Sequence, residues 1–258
     1  MSVAPSPDQI YERSTDEGDR RLSLSLLDQV STAFIAGVTI IFGIVALGVA
    51  EGLVAPEFGP GVGRLAGALA FAIGVVFLVV GRSELFTENF FDPVAAAGEH
   101  RDRHPWTRLL RLWVVTLVLN MVGGGLLVAL LTVHGALPGE AANTLSRVAE
   151  EIAAKGWAAT LVRAVLAGAL ITLLSYMLNA VNSVTGRILV AYLVGFFLAL
   201  GPFDHVVVSA LQLLLGIWLD GAVGYGALAV NLALATVGNL LGGLVLITLT
   251  HTAQVKSG

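Results

Sequence analysis

The sequence predicts an all-α integral membrane protein of six transmembrane helices, with spans two and five each broken into half-helices. Three observations carry that prediction. The first is composition: of 258 residues, 56% are hydrophobic and 12% charged, with a mean hydropathy of +0.86, against roughly 25% charged residues in a soluble domain. The second is a pair of polar interruptions inside hydrophobic stretches, Gly81-Arg82-Ser83-Glu84-Leu85-Phe86-Thr87-Glu88-Asn89 and Gly201-Pro202-Phe203-Asp204-His205. Ionisable side chains and irregular backbone at membrane depth are costly and occur where they are buried in protein or line a cavity. The third is spacing: 118 positions separate Thr87 from His205, and 119 separate Asn120 of Asn120-Met121-Val122-Gly123-Gly124 from Asn239 of Asn239-Leu240-Leu241-Gly242-Gly243. The chain therefore reads as two copies of one three-helix unit, and paired broken helices in corresponding positions of two halves point to a midplane site.

The elements follow in order. Residues 1–28 are polar, lack the apolar core of a signal peptide and are expected to stay in the mature chain as a cytoplasmic segment. A membrane domain over 29–252 and a short tail over 253–258 complete the organisation. A hydrocarbon core of about 30 Å needs roughly 20 helical residues per crossing. Uncharged runs of that order lie at 30–50, 112–133, 164–185 and 225–250, while 65–95 and 188–219 are too long and too interrupted for one plain helix. In the connection 134–156, Leu145, Val148 and Ile152 recur at helical spacing among Arg147, Glu150 and Glu151. That pattern fits a short surface helix ending at the interfacial Trp157, or equally a polar loop.

Basic residues set the orientation. Arg13, Arg20, Arg21, Arg101, Arg103, Arg108, Arg111, Arg187 and Lys256 fall on one side, against Arg64, Arg147 and Lys155 on the other. Both termini should face the cytoplasm. The absence of cysteine excludes disulfides, thiolate metal sites and cysteine nucleophiles. A net charge of −4 and an apolar body argue against nucleic acid as a partner.

Span five has the sharper break. Pro202 lacks an amide hydrogen and clashes with the preceding turn, so it ends one half-helix and suits the first turn of another. The second half-helix then starts near His205, with free amide hydrogens and a positive dipole end that attract an anion. In span two, Thr87, Glu88 and Asn89 can cap a half-helix through Phe90 and Phe91. If the two copies are inverted, the half-helix starts converge and bring the Thr87 hydroxyl to the His205 imidazole. Taken alone, Pro202 could equally kink a helix and His205 could be an interhelical hydrogen-bonder; the matching break in the other half favours function.

At these residues the chain resembles the formate/nitrite transporter family. The motifs are Glu84-Leu85-Phe86-Thr87, Pro202-Phe203-Asp204-His205, Thr185-Gly186-Arg187 and Thr236-Val237-Gly238-Asn239-Leu240-Leu241-Gly242-Gly243. The resemblance implies an aquaporin-like inverted repeat of six helices, a homopentamer in a prokaryotic-type inner membrane, and one pore per protomer. His205 is similar to the family's central histidine, Thr87 to the threonine facing it, and Asn239 to the asparagine that orients the imidazole. Phe71, Leu85, Phe86 and Phe203 match pore-constricting positions, and Lys155 a vestibule lysine that collects anions. By itself Lys155 would read as a snorkelling interfacial cation.

The chain also departs from the family. The second constricting aromatic is Leu198, a fourth-span asparagine is Thr172, and the small residue after the loop threonine is replaced by Glu88-Asn89. Glu88 could repel an anion, relay a proton, cap the half-helix, or pair with Arg82 or Arg163.

The resulting expectation is a channel or transporter for small monovalent weak-acid anions or their conjugate acids, protonated at His205 between two hydrophobic constrictions, without cofactor or metal. An aquaporin-like channel for small neutral solutes and a transport-dead sensor or scaffold are the alternatives. An enzyme is not expected, because Asp204 points away from Ser209 and His205 and no His-Glu-x-x-His motif exists.

Overall fold

The computed structural model describes residues 4–100, 104–221 and 223–257, so the orientation argument from Arg101 and Arg103 lies outside the described residues. Among these residues every regular element is helical. Five helices are long and apolar enough to cross a membrane: α2 (Leu26–Phe58), α3 (Pro60–Gly81), α5 (His104–Leu131), α7 (Trp157–Ala180) and the continuous stretch Tyr225–Lys256. That last stretch comprises α10 (Tyr225–Leu241), a π-helical segment (Gly242–Thr248) and α11 (Leu249–Lys256). Two shorter apolar helices, α8 (Val184–Leu200) and α9 (Val206–Leu219), are separated by the non-helical Gly201–His205. After α3, the chain runs through an extended loop into a 3-10 turn (Phe86–Phe90) and the short α4 (Asp92–Glu99).

The N-terminal segment is more ordered than its polarity suggests. It forms α1 (Pro7–Leu22), started by a capping box between Ser6 and Gln9 with Pro7 in the first turn. Ile10, Tyr11, Ser14, Gly18 and Leu22 make one buried face against α4 and α7. Arg13 fastens it further by donating to Asn182 Oδ1 at 2.7 Å and to the Asn179 carbonyl at 3.1 Å. The 134–156 connection holds a helix, α6 (Gly139–Ala153), with one face exposed at Glu140, Asn143, Glu150 and Glu151 and the other packed inward. Its Ala141, Leu145 and Ala149 are fully buried against α2 and α9.

Breaking a helix at membrane depth strands backbone groups that water cannot reach, and each must find a partner. The two loops solve this in the same way. In the first, Glu84 N–H donates to the Thr32 carbonyl (3.4 Å), Phe86 N–H donates to Asn120 Oδ1 (2.9 Å), and Asn120 Nδ2 donates to the carbonyls of Glu84 (3.1 Å) and Ala33 (2.8 Å). In the second, Asp204 N–H donates to the Arg163 carbonyl (3.2 Å), Val206 N–H donates to Asn239 Oδ1 (2.9 Å), and Asn239 Nδ2 donates to the carbonyls of Asp204 (3.0 Å) and Ala164 (2.7 Å). Both asparagines are completely buried.

That clamp needs close backbone contact, and one glycine per half provides it. A Cβ on Gly37 would lie 2.1 Å from the Asn120 carbonyl oxygen, and one on Gly168 would lie 2.1 Å from that of Asn239. No methyl group fits there. Gly168→Ala should therefore destabilise the detergent-solubilised protein by about 1–3 kcal/mol, read as a fall in thermal midpoint. Gly139→Ala, with nothing within 4 Å of the added atom, should leave that midpoint nearly unchanged. Asn239→Leu removes one acceptor and two N–H donors, orphaning three buried backbone groups, and should cost several kcal/mol, at about 1–3 kcal/mol per orphaned group. Thermal unfolding of Asn120→Leu and Asn239→Leu side by side should show losses of similar size.

Candidate functional site

His205 occupies the N-cap of α9, where Gly201-Pro202 has ended α8 and the chain is extended. Its Nδ1 accepts from Val208 N–H at 3.4 Å, and its Nε2 lies 2.5 Å from Thr87 Oγ1. With Nδ1 occupied as an acceptor, the hydrogen-bond pattern assigns the ring proton to Nε2, which donates to the threonine hydroxyl. The imidazole is thus neutral in this arrangement, and its 2% exposed side chain faces the opposite half of the protein.

Thr87 sits on the 3-10 turn, whose backbone is pinned from five directions. Asn89 Nδ2 donates to the Leu85 carbonyl, Arg21 and Ser175 to that of Glu88, Trp113 Nε1 to that of Asn89, and Thr248 to that of Phe90, all within 3.1 Å. Each donor comes from a different element. A rigid loop of this kind can hold a hydroxyl at a set distance from an imidazole on another helix.

A cavity of about 450 Å³ is lined by the buried His205 and, among its exposed residues, by Arg64 and Glu151. Phe71, Leu198 and Phe203 line its inner part, together with Asp204, Ser209 and Gln212. Phe203 is braced edge-on by Phe197, with ring centroids 5.0 Å apart. Leu85 and Phe86 lie outside this cavity, both buried, and Phe86 stacks edge-on against Phe90. A second, much smaller cavity of about 30 Å³ lies against α1 and is lined by Glu17, Arg20, Arg21, Leu78, Glu84 and Glu88 among others.

Charge in both cavities is largely compensated. Lys155 lines the larger cavity, and its ammonium pairs with Asp204 Oδ1. Burial lowers the Lys155 ammonium from its usual range, and the Asp204 carboxylate opposes that shift. Arg163 Nε lies 3.6 Å from Asp204 Oδ2, so the carboxylate next to His205 is held between two cations. In the same cavity, Arg147 bridges the buried Glu51 (2.5 Å) and Glu151 (2.6 Å), and Glu151 also takes Arg64 (2.8 Å). At the other cavity, Arg20 and Arg21 reach from α1 to Glu84, and Arg21 to Asp92. Glu17 stands beside both arginines; burial pushes its carboxyl up, but hydrogen bonds and charge from Arg20 and Arg21 outweigh it and hold it at about 2.

The structure brings His205 and Thr87 together and lines one cavity with Phe71, Leu198, Phe203 and Lys155. Asn239 does not touch the imidazole; it grips the backbone on either side of it, at Asp204 O and Val206 N. Glu88 pairs with neither Arg82 nor Arg163, which are occupied by Glu17 and Asp204. Ser209 donates to the His205 carbonyl and to Asn231 Oδ1, leaving the imidazole ring without a serine partner. Sequence reasoning missed Asp204 and Arg163 as a pair and the arginines of α1. A signal existed for Arg163, an isolated cation inside an apolar run. For α1 the signal was a one-sided stripe of small and aromatic residues within a polar segment.

Comparison with known proteins agrees with this architecture. The family model described as formate/nitrite transporter matches residues 8–253. Relatives include the inner membrane protein YfdC of Escherichia coli (strain K12), 24% identical over 249 residues that cover 96% of this chain and 78% of that protein. The formate channel FocA of Haemophilus influenzae is 26% identical over 273 residues (95% and 93%). The probable formate transporter of Methanothermobacter thermautotrophicus is 29% identical over 234 residues (83% and 84%). Among solved structures, an FNT family ion channel superposes with a TM-score of 0.80 over 96% of this chain and 98% of that one, at 19% identity. A pentameric formate channel with formate bound superposes with 0.73 over 93% and 98%, also at 19% identity. These structural likenesses bear on the fold. With the family model spanning nearly the whole chain, this membrane protein belongs to the formate/nitrite transporter family.

Proposed function

We propose that the chain is a channel or transporter for small monovalent weak-acid anions, in which the anion is protonated at His205 between two hydrophobic constrictions. The observation that carries the reading is the 2.5 Å contact between Thr87 Oγ1 and His205 Nε2 at the end of a cavity whose inner part bears Phe71, Leu198 and Phe203. Leu85 and Phe86 form the second apolar constriction. Taking a bare monovalent anion past such rings costs several kcal/mol or more, because its charge loses its water. A weak acid avoids most of that cost by crossing neutral. Thr87 and His205 supply a hydrogen-bonded pair through which a proton can reach the anion, and Asn239 keeps the backbone beneath the imidazole in place. Net transport is then of acid plus conjugate base along their gradients, without nucleotide or resident metal.

The same reading makes α3 with the 3-10 turn and α4 the second span, and α8 with α9 the fifth, so that six spans form an inverted repeat. It places both termini in the cytoplasm of a prokaryotic-type inner membrane and assembles the protomers as a homopentamer. The matched hydrogen bonds of the two loops support the repeat, and the pentameric formate channel among the structural neighbours supports the assembly.

Flux in proteoliposomes tests the reading. Formate, nitrite, hydrosulfide, acetate and lactate are presented at pH 5.5 and 7.5 to wild type and His205→Asn. Wild type should carry at least one weak acid faster at pH 5.5, and the substitution should slow it by about tenfold or more. Passage of water or glycerol with no acid flux would instead establish a channel for neutral solutes.

A further inference from the structure

The proton given to the anion on the outer side must be taken back on the inner side, and the family motif around Thr87 does not identify the acceptor. The cavity against α1 does. Three carboxyl groups line it, Glu17, Glu84 and Glu88, and a fourth, Asp92, pairs with Arg21 of its wall. Glu17 is paired with Arg20, Arg21 and Arg82; Glu84 with Arg20 and Arg21; Asp92 with Arg21. Among the described residues no basic side chain lies within 4 Å of the Glu88 carboxyl, whose one side-chain hydrogen bond is accepted from Leu85 N–H at 3.4 Å. A carboxylate locked to guanidinium groups is a poor proton acceptor, whereas Glu88 is uncommitted.

Its position is equally specific. Glu88 follows Thr87 directly on the pinned 3-10 turn, so one residue contacts His205 while the next lines the opposite cavity. The Glu88 carbonyl is held by Arg21 Nη1 at 2.9 Å and by Ser175 Oγ at 3.1 Å, which sets the side chain's origin. The charged groups around it are Glu17, Arg20 and Arg21 from α1, Glu84 from the preceding loop and Asp92 from α4, with Arg82 and Arg187 on the cavity wall. The faces of α5 and α7 towards the turn present Trp113 and Ser175, which carry no charge.

We propose that Glu88 is a second proton-exchanging group, which takes the proton from the neutral acid once it has passed His205 and the Leu85–Phe86 constriction. The step rests on the weak-acid reading above. The O–H bond of the acid breaks, an O–H bond forms on the Glu88 carboxyl, and the substrate leaves as its anion. The glutamic acid then releases its proton to water in the inner cavity, and efflux runs the same steps in reverse. A small monocarboxylic acid and a glutamate side chain are acids of the same type, so neither direction faces a large intrinsic bias.

Glu88→Gln keeps the side chain's size and an acceptor for Leu85 N–H but cannot take a proton. Formate uptake and lumen acidification are followed together in proteoliposomes between pH 5.5 and 7.5 for wild type, Glu88→Gln and Glu88→Asp. Glu88→Gln should slow both by about tenfold or more and flatten their pH dependence, while Glu88→Asp stays within about threefold of wild type. Glu88→Gln matching wild type in rate and pH profile would overturn the proposal and leave the role of His205 standing. Wild type carrying no weak acid would overturn both. Infrared difference spectra with and without formate give a readout that does not require the glutamine variant to fold. A protonated-carboxyl band should change in wild type and shift in Glu88→Asp, and a spectrum without such a change would also count against Glu88.

Discussion

The structure depends on satisfying backbone that has left the helix where no water is available. A continuous helix satisfies its own amides, so each break obliges the rest of the protein to supply replacements. Asn120 and Asn239 do this, each spending its amide group on three backbone atoms from a loop and a neighbouring helix. Gly37 and Gly168 are the counterpart of that demand, because the helix offering its carbonyls must come close enough for the asparagine to span the gap. Position of the functional side chains follows from the clamp. Thr87 and His205 meet because each lies one residue beyond a backbone amide or carbonyl that an asparagine holds.

Charge follows a comparable rule. With Glu88 as the exception, the buried carboxylates of the described residues meet cations: Asp204 between Lys155 and Arg163, Glu51 with Arg147, and Glu84 and Asp92 with Arg21. Such pairs contribute little net stability once desolvation is counted, but removing one member leaves a buried charge alone. Their effect in the larger cavity is to keep single fixed charges from dominating it. Lys155 exemplifies this: it lines the cavity, yet Asp204 neutralises much of its field at short range. Shared between Lys155 and Arg163, Asp204 leaves one formal positive charge in that cluster, to which the N-terminus of α9 adds its fixed dipole.

Much of this was legible in the sequence. Hydrophobic runs and two polar interruptions announced the spans and the breaks, and Pro202 announced where α8 must stop. The recurrence of Asn-x-x-Gly-Gly 119 positions apart marks the two asparagines that clamp the loops. The register between the two clamps is harder to read. The loops correspond at an offset of 120 (Glu84 with Asp204, Phe86 with Val206), whereas the helices behind them correspond at 131 (Thr32 with Arg163, Ala33 with Ala164). Unequal connecting segments produce the difference, and no single period reports it. The role of Asn239 was misplaced by one bond for a related reason: a residue's proximity to a histidine does not say whether it holds the ring or the main chain beneath it. The ordering of α1 is hard to read because its buried face is diluted: Ile10 and Leu22 stand at its two ends, and Tyr11, Ser14 and Gly18 between them add little hydropathy.

The last span has a consequence for how the molecule is made. Its π-helical segment carries Thr248, whose hydroxyl closes the Phe90 carbonyl at 2.7 Å, and the preceding α10 carries Asn239. The first of these contacts completes the loop of the opposite half, some 158 positions earlier in the chain. A nascent chain that has not yet reached Tyr225 therefore lacks the partners of two separate loops, the Phe90 carbonyl and the backbone at Asp204 and Val206. Both are supplied by the same C-terminal helical stretch, so neither polar loop is fully satisfied until that stretch has packed.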